Sequence, residues 1–223
     1  MSDTPLSSTT RTTLRRHKER GQAGRAALYA VLDAGLICHL GVVAGGGPVV
    51  LPTAYGREGD TLYLHGSSAN QAFGAAAGQQ ACVTVTHMDG IVCARSVFSH
   101  SVNYRSAVVF GEAAVVTDED ERWQALRIIT DHLIPGRWDA ARQPTKKEMA
   151  ATAVLRLPLD EASVKIRTGM PGDSEEDLAL DIWAGVLPIA MTFGEPQPDP
   201  QLRPDIPLPA HIARARPARA GKL

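Results

Sequence analysis

Hydrophobic and polar positions alternate along much of this chain, and the elements they predict are short strands with a few helices. Ala26 to Asp33 reads as a short helix with Leu28, Val31 and Leu32 on one face, closed by Gly35. Leu36 to Val43 and Val49 to Tyr55 are strands joined through Gly45-Gly46-Gly47. Glu58-Gly59-Asp60 marks a hairpin into a third strand, Thr61 to His65. There Leu62 and Leu64 share one face, Tyr63 and His65 the other. Ser68 to Ala77 has helical composition, with Phe73 as its one large anchor and Ser67 or Ser68 as cap. Ala81 to His87 and Ile91 to Phe98 read as strands around an Asp89-Gly90 hairpin, and Ala107 to Val116 as another, with Gly111 a bulge or point of close approach.

The strongest helical period runs from Asp118 to Leu133, where Trp123, Leu126, Ile129 and Leu133 recur at helical spacing before Pro135-Gly136. Thr145-Lys-Lys-Glu148 is a capping-box pattern, and Ala153 to Ile166 is a long strand broken at Pro158. Six or seven strands with one inserted helix predict a mainly β (α+β) chain with Greek-key-like strands and a few peripheral helices: a closed small barrel, with a β-sandwich as the alternative. The boundaries drawn are a flexible basic arm over 1–22, a folded domain over 23–194, and a Pro/Arg-rich extension over 195–223.

Composition adds limits. The 223 residues are 44% hydrophobic, enough for a sizeable core, and carry a formal net charge of -1, so no global field favours nucleic acid or an anionic membrane. Charge is uneven locally. Arg11, Arg15, Arg16, Lys18, Arg20 and Arg25 crowd one end; Asp173, Glu175, Glu176, Asp177 and Asp181 form an acidic loop; both read as solvated surface. Three cysteines without CxxC spacing argue against a disulfide framework and suit a reducing cytoplasm. No run approaches ~18 uninterrupted apolar residues, so no membrane span is expected.

Two polar segments carry the candidate chemistry. In His65-Gly66-Ser67-Ser68 a strand ends, glycine permits a tight backbone and a helix begins, an arrangement that favours a phosphate through free N–H groups and hydroxyls. In Asn103-Tyr104-Arg105-Ser106, at the end of a polar stretch read as a loop, Arg105 offers planar donors and Ser106 another. Joined, they would grip a phosphate-bearing ligand. Each is equally readable without a ligand, as a serine-capped turn and as a surface loop with a salt bridge. No zinc-type pair spacing, G-x-S-x-G, GxGxxG or G-x-x-x-x-G-K-[ST] is present, so no metal is expected, nucleophilic hydrolysis has weak support, and neither the Rossmann nor the P-loop phosphate solution is in use.

Ile37-Cys-His-Leu-Gly41, Leu51-Pro-Thr-Ala-Tyr55, Leu62-Tyr-Leu-His-Gly-Ser67, Thr86-His-Met-Asp-Gly90, Ser101-Val-Asn-Tyr-Arg-Ser106 and Trp183-Ala-Gly-Val-Leu-Pro188, in that order, resemble the flavin-nucleotide-binding, nitroimidazole-reductase-like branch of the pyridoxamine 5′-phosphate oxidase-like superfamily. The resemblance covers roughly residues 11 to 210. It implies an FMN-binding split β-barrel and a homodimer with flavin sites at the interface. FAD can replace FMN in such proteins. It implies Pro52, Thr53, Ala54 and Tyr55 beside the isoalloxazine ring, His65, Gly66, Ser67, Ser68 and Asn70 with Arg105 and Ser106 near the ribityl phosphate, and Trp183 from the C-terminal segment, own or partner's. Relatives often carry a basic residue where this chain has Asn70-Gln71, which shifts the burden to Arg105.

The implied activity is a flavin-dependent oxidoreductase, passing hydride or electrons from a reduced nicotinamide through FMN to a small acceptor. His65 and His100 are the candidates for proton transfer. The alternatives are a carrier or sensor without turnover, and a haem or deazaflavin in the same barrel, for which Cys38, His39 or His65 would be the axial nominees.

Overall fold

The computed structural model describes residues 5–214. Its helices and strands, in chain order, are β1 (Gly21–Gln22), α1 (Arg25–Ala34), β2 (Ile37–Ala44), β3 (Gly47–Glu58), β4 (Thr61–Ser67), α2 (Gln71–Ala76), β5 (Gln79–Cys93), β6 (Ser101–Val115), α3 (Glu119–Leu133), α4 (Arg137–Ala140), α5 (Lys146–Ala150), β7 (Thr152–Pro158), β8 (Glu161–Arg167), α6 (Glu175–Leu178), β9 (Gly185–Pro188) and α7 (Ala210–Ala213). The strands form one sheet in the order β1-β8-β6-β7-β4-β3-β2-β5-β9, and an additional β5–β6 pairing closes its middle into a ring. Every strand pairing is antiparallel. This is the mainly β split barrel expected, not a sandwich.

Alternation explains the core. Leu40, Leu62, Leu64, Val83, Val85, Val109, Leu155 and Leu157 point into the ring and are almost fully buried. Helix α1 plugs one end with Leu28, Val31 and Leu32. Its last carbonyls would otherwise be orphaned inside the protein. Three side chains from other elements receive them: His87 Nε2 meets Val31 O at 2.9 Å, Tyr55 Oη donates to Leu32 O, and His132 Nε2 meets Gly35 O at 2.6 Å. Gly35 is required there, because a Cβ would fall 2.5 Å from Tyr55 Oη and 2.7 Å from Val85 Cγ1. On the outer surface, α3 covers Tyr63 with Ala125 and Ile129.

Several expectations are corrected. Asp89-Gly90 is not a hairpin: β5 runs unbroken through it and Asp89 is the extra residue of a β-bulge. The chain turns at residues 94–100 instead. The polar loop expected up to Ser106 is therefore strand, paired with β5 and β8. The helix expected from Ser68 starts at Gln71 and is capped by Asn70, whose Oδ1 accepts from Ala72 N (2.9 Å) and Phe73 N (3.4 Å). Gly111 is a point of close approach, with Leu157 Cδ1 3.1 Å from where its Cβ would be. The capping box at Thr145 and the break at Pro158 are present.

The 1–22 arm is not loose over its described part. Pro5 bridges to Gly24, β1 pairs with β8, and Arg11 Nε donates to Glu161 at 3.0 Å. The physical reason is that β8 would otherwise be an open edge, which the arm covers. The acidic loop is not all solvated either: Asp173 is fully enclosed, accepting from Arg95 N and Arg95 Nη1 at 3.0 Å each. Residues 195–209 lie exposed along the surface, and the end of the Pro/Arg-rich extension falls outside the described residues. Among the described residues, no helix is long and apolar enough to cross a membrane.

Candidate functional site

A wedge opens between β3 and β4. β3 pairs with β2 over Gly47–Ala54 and with β4 only over Tyr55–Glu58. β4 keeps β7 as its partner along its whole length. Beyond the Tyr55–Leu64 pair the two strands therefore diverge, and the facing backbone edges of Pro52–Ala54 and His65–Ser67 have no ladder partner. Thr53 Oγ1 reaches across to His65 O at 3.4 Å. Unpaired peptide groups at a strand edge are strong donors and acceptors awaiting a partner.

On the β4 side of the wedge, Gly66 is forced by packing. A Cβ there would lie 2.9–3.0 Å from three Phe73 ring atoms, so the phenyl ring seats α2 against the strand. His65 Nδ1 is buried without a hydrogen-bond partner, and burial pulls its pKa down, so the ring is held neutral. The expected anion cradle at the helix start is already used internally. Asn70 takes two N–H groups of α2, Ser67 Oγ accepts from Ala69 N at 3.2 Å, and Ser68 N donates to Ala151 O at 2.9 Å. The exposed Ser67 and Ser68 side chains are what remains for a ligand.

Arg105 and Ser106 do not join His65–Ser68 within one chain. They lie on β6 where it pairs with β5 and β8, and β6 meets β7, the neighbour of β4, only at Ala114 and Val115, well along the strand. The Arg105 guanidinium is also committed: Nε and Nη2 donate to Asp89 at 2.9 and 2.8 Å, a fork that locks the bulge of β5 to β6 and raises the Arg105 pKa. Ser106 Oγ donates to Lys165 O at 3.4 Å. His100 sits exposed at the β5–β6 turn with Nδ1 on Ser96 O, far along the strands from the wedge. Trp183 is 71% exposed, its ring against Gly185, beside the outer edge of β5.

A second feature, unforeseen from the sequence, is a cavity of about 620 Å³ on the outer side of β3, β2 and β5. Its lining includes His39, Pro52, Thr86, Met88 and Arg105, with Ile189 and Met191 of the segment after β9 on one side. Ile189 N donates to Asp89 O at 3.0 Å, which fixes that segment beside the bulge. A signal was available: Ile37, His39 and Val43 on β2 and Val50 on β3 put aliphatic or imidazole side chains on the outward positions of strands whose inward positions are already apolar. Ile37, Val43 and Val50 are 55%, 70% and 62% exposed. A plain solvent-facing surface would alternate to charge instead. Cys38, between Ile37 and His39, faces the core and is fully buried; burial pushes its thiol up to about 12. Among the described residues, no group of three or more His, Cys, Asp or Glu side chains could hold a metal ion.

Comparison with known proteins places this geometry. A family model described as pyridoxamine 5′-phosphate oxidase matches residues 24–166. The flavocytochrome Anf3 of Azotobacter vinelandii is 42% identical with a TM-score of 0.89, over 94% of this chain and 98% of that one. The FAD and haem binding protein of Mycobacterium smegmatis is 38% identical with a TM-score of 0.83, over 87% and 96%. A putative 5-nitroimidazole antibiotic resistance protein of Bacteroides thetaiotaomicron shares the fold at 22% identity and a TM-score of 0.57, over 66% and 86%. The curated proteins searched yield no match.

Proposed function

The chain belongs to the pyridoxamine 5′-phosphate oxidase family, and from that premise we propose that it is a flavin-dependent oxidoreductase with the flavin nucleotide in the β3–β4 wedge. The observation that carries this reading is the divergence of β3 and β4. It leaves the backbone of Pro52–Ala54 free to meet the polar edge of a flat ring. It leaves Ser67 and Ser68 exposed and His65 with a buried, unpartnered nitrogen on the facing strand. These groups suit a flavin nucleotide: peptide donors and acceptors for the ring, and neutral donors for the phosphate. The sequence motifs imply FMN, and the Mycobacterium smegmatis relative is an FAD and haem binding protein, so both nucleotides are candidates.

A bound flavin supplies the hydride and single-electron chemistry. The protein's own part is positional. Phe73 on Gly66 fixes the end of β4, and the neutral His65 ring can hold a hydrogen bond at Nδ1. In this reading Arg105, Ser106 and Trp183 come to the wedge from a second copy, in a homodimer with interfacial sites. The apolar outward positions of β2 and β3 suit such an interface. The electron donor in this reading is a reduced nicotinamide, the acceptor a small molecule, and the compartment the cytoplasm.

The test is the visible spectrum and mass of any co-purified ligand, then reduction by NADH or NADPH with a panel of acceptors. A protein that takes up neither FMN nor FAD refutes the reading, and uptake without turnover leaves a carrier.

A specific observation favours a second group beside the flavin. The cavity of about 620 Å³ shares only Pro52 with the wedge and lies within the ~300–1,000 Å³ typical of cofactor sites. Two relatives of high identity, the flavocytochrome and the FAD and haem binding protein, pair flavin with haem chemistry in their names. The cavity's donor set, the imidazoles of His39 and His87 and the thioethers of Met88 and Met191 among aliphatic groups, fits haem.

A further inference from the structure

We propose that His39 is the axial nitrogen ligand for a haem iron in the cavity between the outer face of β2, β3 and β5 and residues 189–191. The inference rests on the second reading above and assigns the ligand within it. Three nominees came from the sequence, and the structure separates them. Cys38 faces the opposite side of β2, fully buried, with its thiol held protonated by burial. A thiol in that state is no ligand. His65 lies at the wedge and takes no part in lining the cavity. His39 lines it.

The remaining histidines are tied up or elsewhere. His87 also lines the cavity, but its Nε2 is held at 2.9 Å by Val31 O; His17 meets Glu19, His100 meets Ser96 O and His132 meets Gly35 O. His211 stands near Gly136, away from the cavity. Among the described residues His39 has no hydrogen-bond partner, so either ring nitrogen can offer its lone pair while the other keeps its proton. Its strand is rigid: His39 lies in register between Pro52 of β3 and Thr84 of β5. Around it Ile37, Pro52, Met88, Ile189 and Met191 offer the apolar contact a porphyrin face needs.

The experiment titrates hemin into the full-length protein and into His39→Ala, following the Soret band. FMN uptake and the urea midpoint of each serve as checks on folding. Wild type is expected to bind one hemin per chain. Losing a group that merely orients a metal ligand already costs ~10–100-fold, so loss of the ligand itself should weaken hemin binding by more than about tenfold. The Soret band should shift, and free imidazole should restore it, with FMN uptake unchanged. Equal hemin affinity and an identical band in His39→Ala would overturn the assignment while leaving the haem reading standing. Failure of the wild type to take up hemin would overturn both.

Discussion

The Arg105–Asp89 pair is the sharpest test of how this site is built, because the sequence reads Arg105 as a phosphate contact while within one chain its guanidinium is clamped to Asp89. Two charge-assisted bonds of 2.9 and 2.8 Å join side chains that are 16% and 31% exposed. Bonds to charged groups contribute about 1.5–3 kcal/mol when well enclosed. Fully exposed pairs contribute about 0–1 kcal/mol. With solvent screening at this partial exposure, a coupling of ~1–2 kcal/mol follows, between those limits. The assay is a double-mutant cycle by urea unfolding: wild type, Arg105→Ala, Asp89→Ala and the double variant. With an m-value of ~2 kcal/mol/M, each single change should lower the midpoint by ~0.5–1 M, and the double variant should lie close to either single one. Flavin affinity should change little in Asp89→Ala. A coupling below ~0.5 kcal/mol, within the scatter of independent sites, would refute the clamp. So would a tighter flavin complex in Asp89→Ala, which would mean that freeing Arg105 creates a phosphate contact.

Gly66→Ala forces a Cβ into the Phe73 ring and should cost about 1–3 kcal/mol and weaken flavin uptake. Adding Phe73→Leu should recover part of that loss, and a stable, fully binding Gly66→Ala would contradict the packing argument. Asn70→Ala removes the α2 cap and should cost about 1 kcal/mol by thermal unfolding; no change would mean the cap is replaced by solvent. Acid should destabilise the protein through His65 and His132, both held below their ordinary value of 6.5 chiefly by burial. The unfolded chain then binds more protons, so this stability is complete above pH 6.5 and is lost as pH falls through the lower folded-state values. Urea midpoints from pH 7.5 down to 5 should fall, and less steeply in His132→Gln; an unchanged slope would count against the assignment.

Local pattern was enough for most elements. Helix α3, the break at Pro158 and the alternation that buries Leu62 and Leu64 all follow from periodicity and Pro or Gly placement. So did the family, carried by short motifs in a fixed order. Where sequence misled, a distant partner had overridden a local signal. Asp89-Gly90 has the composition of a turn, but Arg105 and β9 hold it as a bulge. The serines before α2 have the composition of a cap, but Asn70 takes the N–H groups first. The family motif puts Arg105 near the phosphate; what only the structure adds is its fork to Asp89, sixteen residues earlier on the neighbouring strand.

The wedge and the cavity belong to the tertiary structure alone. Each residue lining them was visible, yet nothing in the order of residues says that β3 changes partner at Tyr55, or that residues 189–191 return beside Asp89. Sequence determines which face of a strand is apolar, because side chains alternate along a pleated backbone. Which two edges are left unpaired, and which histidine faces the cavity, depends on how strands far apart in the chain share their hydrogen bonds.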